Sequence, residues 1–247
     1  MRGSNRPRRF FKFITSIICL IVVAYSLQMF SLFRKTSSDL FDIENQSLEE
    51  ILDEAKEIKI QRKIFSFRKH YYVSVDNVVV GEVRGRFFTP FGDKLELLDS
   101  KGNVIKSEYQ IKRLGPTYGN LFNISLDRLA EVSDSNGNVT GYIGEEKLSD
   151  FWKLNRRQYF YDETGRKIGS GKQKFFMFCK DYTITNSKGD KVYDIDGNIF
   201  SLTSKFNITK VNNENIDEED VIFYTIIENS ILDNKSKESS SNNSKNK

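Results

Sequence analysis

One histidine, one tryptophan, two cysteines, three prolines and three methionines are all that 247 residues contain of these types. Each scarcity removes a class of protein. Two cysteines leave no disulfide scaffold, and a single histidine beside them leaves no zinc site of clustered His and Cys. So few prolines exclude a proline-rich spacer or a collagen-like tract. Any Ser-His or Cys-His nucleophile pair would have to use His70. Apolar residues make up only 38% of the chain, but 20 Phe and 11 Tyr lift the aromatic share to 13%, so a core of ordinary size must be rich in rings.

Charge of one sign is missing from the start of the chain. Residues 1–35 hold seven basic residues (Arg2, Arg6, Arg8, Arg9, Lys12, Arg34, Lys35) and no acidic one. Of 38 basic and 34 acidic residues in total, residues 36–247 therefore keep 31 basic against 34 acidic, a net of −3. Nucleic-acid binders concentrate positive charge on the folded domain, because phosphate neutralisation supplies most of their affinity. This chain does not, and a nucleic-acid partner is not expected.

From Phe13 to Phe33 the chain runs 21 residues without a charge. A helix of that length spans about 30 Å, the thickness of a hydrocarbon core. Five basic residues precede the run, and Asp39, Asp42 and Glu44 follow soon after Arg34 and Lys35. The positive-inside bias reads 1–12 as a cytoplasmic N-terminus, 13–33 as a transmembrane signal-anchor, and everything after it as extracytoplasmic. A cleaved signal peptide is the competing reading, with Ala24, Tyr25 and Ser26 around the cut; apolar character continuing to Phe33 favours retention. Cys19 lies in this run and needs no role beyond that of a small apolar residue.

Residues 34–59 read as a stalk. Leu48, Ile51, Leu52, Ala55 and Ile58 recur at helical spacing, with Ser47 as N-cap and Glu50 at the capping-box position. At the far end, 233–247 contains no apolar residue and reads as a disordered polar tail.

Between them, 60–232 has a different texture: short β-branched and aromatic runs separated by turns. The turns are Asp99-Ser100-Lys101-Gly102, Asp134-Ser135-Asn136-Gly137, Asp162-Glu163-Thr164-Gly165 and Asn186-Ser187-Lys188-Gly189. In each, the first side chain can cap the turn and the glycine can take positive φ. At one strand per ~8–12 residues the region holds roughly a dozen strands or slightly more, which must close into a barrel or fold into a sandwich. A repeat runs through it. Val80–Phe88 matches Ile168–Phe176 at an offset of 88, aligning Gly81 with Gly169, Arg84 with Lys172, Arg86 with Lys174, and both Phe pairs. After a one-residue slip, 99–102 falls on 186–189. The halves read as layers of one closed sheet, since neither could bury its own core.

The last element, 216–232, opens with Asp217, Glu218, Glu219 and Asp220, which suit a helix N-terminus. Val221–Ile227 is apolar on all faces except Thr225, so the helix should be buried on all sides, and the place for it is inside the barrel. The expected fold is mainly β: a closed antiparallel β-barrel with a buried C-terminal α-helix, preceded by one N-terminal transmembrane helix. In the order of 81–88, 92–105, the second copy and this helix, the region resembles the tubby C-terminal-like barrel superfamily, in its LURP-one-related and phospholipid-scramblase-like branch. The resemblance implies a closed barrel threaded by the C-terminal helix, and relatives that include phosphoinositide-binding and lipid-associated proteins. The membrane segment here is N-terminal, whereas in scramblase-like proteins it is drawn at the C-terminus, so scrambling is not implied.

No motif singles out chemistry. His70, in a loop entering a strand, reads as a surface or packing residue, and Cys179 as a buried strand residue. Gly169-Ser170-Gly171-Lys172 lacks the upstream glycine and following Ser or Thr of a phosphate loop. Asp194-Ile195-Asp196-Gly197-Asn198 lacks calcium-loop spacing and reads as a plain turn. No cofactor and no metal are expected. The remaining candidates are Arg84, Arg86, Lys172 and Lys174, which alternate along their strands to face outward and form either an ordinary solvated surface or one contact for anionic lipid or an anionic envelope component. The leading reading is a membrane-tethered, non-enzymatic barrel binding a lipid, peptide or envelope component. The alternatives are a structural or assembly protein of the envelope, and an enzyme of unknown type using surface carboxylates. In intact cells, a protease that cannot cross the membrane should digest residues 36–247; full protection until lysis would reverse the topology.

Overall fold

In the computed structural model the apolar–polar alternation becomes strands. They are β1 (Glu57–Arg62), β2 (His70–Val75), β3 (Val78–Thr89), β4 (Gly92–Asp99), β5 (Val104–Ile111), β6 (Asn120–Leu121), β7 (Ile124–Asp134), β8 (Val139–Glu146), β9 (Arg157–Asp162), β10 (Lys167–Gln173), β11 (Tyr182–Asn186), β12 (Lys191–Asn198) and β13 (Lys205–Lys210). Among the described residues two helices flank them, α1 (Leu48–Glu54) and α2 (Glu218–Lys245). The structure describes residues 46–63, 66, 68–89, 92–111, 120–121, 124–146, 157–174, 180–198, 204–212 and 216–245. The expected membrane span 13–33, Cys19 and Cys179 lie outside them. Among the described residues no helix is long and apolar enough to cross a membrane.

Every strand pairing is antiparallel, and apart from β5 and β6 neighbours in sequence are neighbours in the sheet. Two further pairings close it: β1 with β13, and β5 with β7, where Lys106 stands opposite Asp134 and Ile111 opposite Leu129. The result is a closed barrel of twelve strands, with the two-residue β6 attached to β7 alone. Closure leaves no long edge with unpaired backbone groups.

The turn chemistry is the chemistry read from the sequence. Asp99 Oδ1 accepts from the backbone N–H of Lys101 (2.9 Å) and Asn103 (2.8 Å), and Asp134 Oδ1 does the same for Asn136 and Asn138. Asp162 and Asn186 repeat the pattern. The closing glycines, Gly102, Gly137, Gly165 and Gly189, all have φ between 78° and 96°, where a Cβ would be strained. Side-chain bonds from Asn138 to Asp134 and from the Thr164 hydroxyl to Asp162, with these backbone bonds, hold both carboxyls below the usual aspartate range; at Asp99 burial opposes, and the bonds from the Asn103 side chain and the backbone outweigh it. Because neighbouring strands alternate in direction, the turns after β2, β4, β7, β9 and β11 all fall at one end of the barrel. The start of β1 and the end of β13 fall there too, so α1 and the N-terminus of α2 share this turn end.

α2 fills the interior. Residues 218–229 are all buried, and their partners come from around the ring. Tyr224 stacks at 5.4 Å on Phe160 of β9 and meets Tyr182 of β11 edge-on at 5.8 Å. Farther along, Asn229 accepts from Lys180 Nζ (2.6 Å) and Ser204 Oγ (3.2 Å) and donates to the Tyr71 hydroxyl (3.2 Å). Asn229 therefore fixes how deep the helix sits, since a slip of one turn would bury an unsatisfied amide.

The repeat is visible in this packing. β3 and β10 stand six strands apart whichever way the ring is followed. A Cβ on Gly81 would come within 2.6 Å of Leu98 O and 3.1 Å of Leu48 Cδ2, and one on Gly169 within 2.6 Å of Thr185 O and 2.5 Å of Ile216 Cδ1. Both glycines let an apolar side chain from a helix start lie flat on the strand.

Three expectations change. α1 is not part of a spacer: Leu48 and Leu52 are buried, and residues 46–247 form one compact unit. The helix stops at Glu54, capped by Ser47 and Glu50 as expected, and Ile58 belongs to β1 instead. The tail from 233 is helical through Lys245, because no Gly or Pro after Glu218 stops the helix.

Replacing Ile226, which is 0% exposed, with Asp should place an unpaired charge in this interior. The expected cost is about 3–5 kcal/mol, measured by urea unfolding of residues 46–247. Unchanged unfolding would show that the helix does not hold the barrel.

Candidate functional site

The four basic residues face outward as the alternation predicts, but they do not form one patch. Arg84 and Arg86 lie on β3, with side chains 54% and 61% exposed. Lys172 lies on β10 and Lys174 just beyond it, on the opposite side of the ring. Three of the four also have acidic partners. Arg84 pairs with Glu82, Arg86 Nε with Glu96 Oε2 at 2.8 Å, and Lys174 Nζ with Asp194 at 2.6 Å and Asp196 at 3.2 Å. For Lys174, burial works against the charge, but the two aspartates win and hold its pKa above the ordinary lysine value. Lys172 is exposed. The four residues therefore form two separated pairs, in which Arg84, Arg86 and Lys174 meet carboxylates and Lys172 is exposed.

The segment Asp194–Asn198, expected as a turn, is part of β12 and pairs with both β11 and β13. Its carboxylates serve Lys174 and Lys191. Among the described residues no group of three His, Cys, Asp or Glu is placed to hold a metal ion. His70 opens β2 and sits 2.6 Å from Glu82 Oε2. Burial lowers its pKa, and Glu82 offsets only part of that shift.

The dense charge lies elsewhere, at the turn end. Lys106 of β5 is buried, its side chain 9% exposed, and it meets three carboxylates. Its Nζ is 2.8 Å from Asp217 Oδ2, 2.8 Å from Asp220 Oδ1 and 3.7 Å from Glu219 Oε2. Beside it, Lys210 Nζ joins Glu218 Oε1 (2.7 Å) to Asp53 Oδ1 (3.0 Å), tying α1 to the start of α2. The Tyr193 hydroxyl is 2.7 Å from the same Glu218 oxygen and 3.0 Å from Ile216 O.

Burial alone would lower the Lys106 pKa, but Asp220, Asp217 and Glu219 outweigh it and hold the ammonium above its ordinary value. Burial pushes Glu219 up to about 7, against the pull of Lys106, and raises Asp220 as well. Tyr193 is raised by burial and by Glu218. An open pocket of about 380 Å³ borders the cluster, lined among others by Glu49 and Asp53 of α1, Lys106, Asp134, Asp217 and Glu219.

Sequence reasoning found the acids 217–220 as a helix start but not their partner. A lysine among polar strand residues carries no sign that it points inward. Comparison of the chain with protein-family models, with curated proteins and with solved structures finds no match.

Replacing Lys106 with Met removes the one cation that Asp217, Glu219 and Asp220 share, and should cost about 3–5 kcal/mol in urea unfolding of residues 46–247. A loss below about 1 kcal/mol would mean the cluster contributes little to the fold.

Proposed function

We propose that the chain is a membrane-tethered, non-enzymatic binding domain, held by its N-terminal span and displayed on the extracytoplasmic side. It binds a lipid, peptide or envelope component on its outside. The observation that carries this is the filled interior: α2 occupies the space where closed barrels hold small ligands, so recognition falls to the outer wall and the rims. A closed barrel around a C-terminal helix is also the architecture that the resemblance to tubby-like barrels implies, which supports that kinship and, with it, a lipid-associated role.

A second reading has an observation in its favour. At the turn end, a pocket with convergent carboxylates holds Glu219, raised by burial, near Asp134, lowered first by its bond from Asn138. Carboxyls pushed apart in this way are the pattern of acid–base catalysis. The binding reading stands first because the cluster's charges engage one another: Lys106 takes Asp217 and Asp220, and Lys210 takes Glu218 and Asp53. Such ion-pair networks perturb pKa values without catalysis.

The test is sedimentation of residues 46–247 with vesicles of rising anionic lipid content, comparing wild type, R84Q/R86Q and K172Q/K174Q. A flat bilayer can meet only one side of the barrel, so one double variant should lose binding and the other keep it. Each exposed basic residue contributes on the order of 1 kcal/mol, and binding should weaken with salt. Absent binding, or equal binding by all three proteins, would remove anionic lipid from the ligands considered.

A further inference from the structure

The charge cluster at the turn end does not balance. The buried carboxylates at the start of α2 are Glu218, Glu219 and Asp220, the exposed Asp217 joins them, and Glu108, on the same buried face of β5 as Lys106, adds one more. The cations facing them are Lys106 from β5 and Lys210 from β13, and Lys210 also serves Asp53 of α1. The remaining groups around the pocket add negative charge or none: Glu49 and Asp53 from α1, Asp134 from the turn after β7, and the neutral Tyr193 hydroxyl from β12. The helix N-terminus supplies only about half a positive charge. Among the described residues two lysines face these carboxylates, so at least one buried carboxylate has no full counter-charge there. Glu219 has the weakest claim on a cation, at 3.7 Å from a lysine that Asp217 and Asp220 each approach to 2.8 Å.

We propose that this cluster is a pH-sensitive latch: one proton shared between Glu219 and Asp220 completes the charge balance that seats the first turn of α2 against β5, and its loss loosens that end of the barrel. The proton stays because burial disfavours a second uncompensated negative charge, and Glu219 is pushed up to about 7 by it. The sign follows from linkage. A carboxyl whose folded pKa lies above its unfolded value binds its proton more tightly when folded. The fold is then most stable at acid pH and loses stability as pH rises from about 4.5, the unfolded value, through about 7. Lys106, held above the ordinary lysine value, stays charged throughout this window and does not cause the loss. The carboxyls of Asp99, Asp134 and Asp162 are held low and titrate below the window, whereas His70, lowered by burial, contributes within it with the opposite sign, so the difference between wild type and the variants isolates the cluster.

The full-length protein in detergent micelles is the sample. Its unfolding equilibrium constant should rise by roughly 50- to 100-fold between pH 5 and pH 8. In E219Q or D220N, which keep the side-chain volume and remove the titrating proton, the rise should shrink to a few-fold. Amide exchange across 217–222, corrected for its intrinsic pH dependence, should accelerate over the same range in wild type alone. A carboxyl carbon titration assigned to Glu219 should have its midpoint near 7. A Glu219 midpoint below 5, or a pH slope that both variants retain in full, would overturn the latch.

Discussion

Twelve strands close around more space than their own side chains can fill, and the fold depends on how that space is occupied. Strands about 4.8 Å apart and tilted by about 40° make a ring of roughly 12 Å radius. A helix with its side chains is about 10–12 Å across. α2 fits that lumen, and its greasy turns, Val221 to Ile227, have no other apolar phase to enter. The dependence is mutual. The strands give α2 its only burial, and α2 gives Phe160, Tyr182 and Tyr71 the partners that keep the barrel from collapsing or opening.

A helix in a barrel could still slide or turn, because apolar contacts have little directionality. The polar groups remove that freedom at both ends. At one, Asn229 is bracketed by Lys180, Ser204 and Tyr71. At the other, Lys106, Tyr193 and Lys210 hold residues 216–220. The two sets stand about nine to eleven residues apart on α2, about 14–17 Å along its axis. Both are met at once only in one register.

The local rules were legible in the sequence and the long-range ones were not. Asp99, Asp134, Asp162 and Asn186 act on backbone N–H groups two and four residues away, so four-residue windows revealed the turns. Uniform greasiness marked α2 for the interior. By contrast, Val104-Ile105-Lys106-Ser107-Glu108 reads as a strand with its charges outward, yet Lys106 and Glu108 are the buried residues. For Lys106, what reverses that face is the acidic start of a helix more than a hundred residues away. The basic pairs show the same limit. Alternation gave their outward direction, but only the ring order shows that Arg84 and Lys172 lie on opposite sides, and only β4 and β12 show that Glu96 and Asp194 answer Arg86 and Lys174. Asp194–Asn198, polar and turn-like in isolation, is a strand because ladders on both sides claim it.

The duplication explains why the two ends of the barrel came to differ. In each half, a glycine on the middle strand receives an apolar side chain from a helix start: Gly81 takes Leu48 and Gly169 takes Ile216. The two helices then part ways. α1 ends at Glu54, and its chain turns directly into β1. α2 instead continues through the lumen. Two helices whose starts pack on these glycines therefore meet at one end, and both bring carboxylates: Glu49 from the first turn and Asp53 from the last turn of α1, and Asp217 to Asp220 from the start of α2. Helix N-termini attract acids, and two of them side by side concentrate more acid than one dipole can offset. Lys106 and Lys210 are the lysines that such crowding requires. Among the described residues, the charge they leave uncompensated follows from this crowding of carboxylates, and it is what couples the turn end to pH.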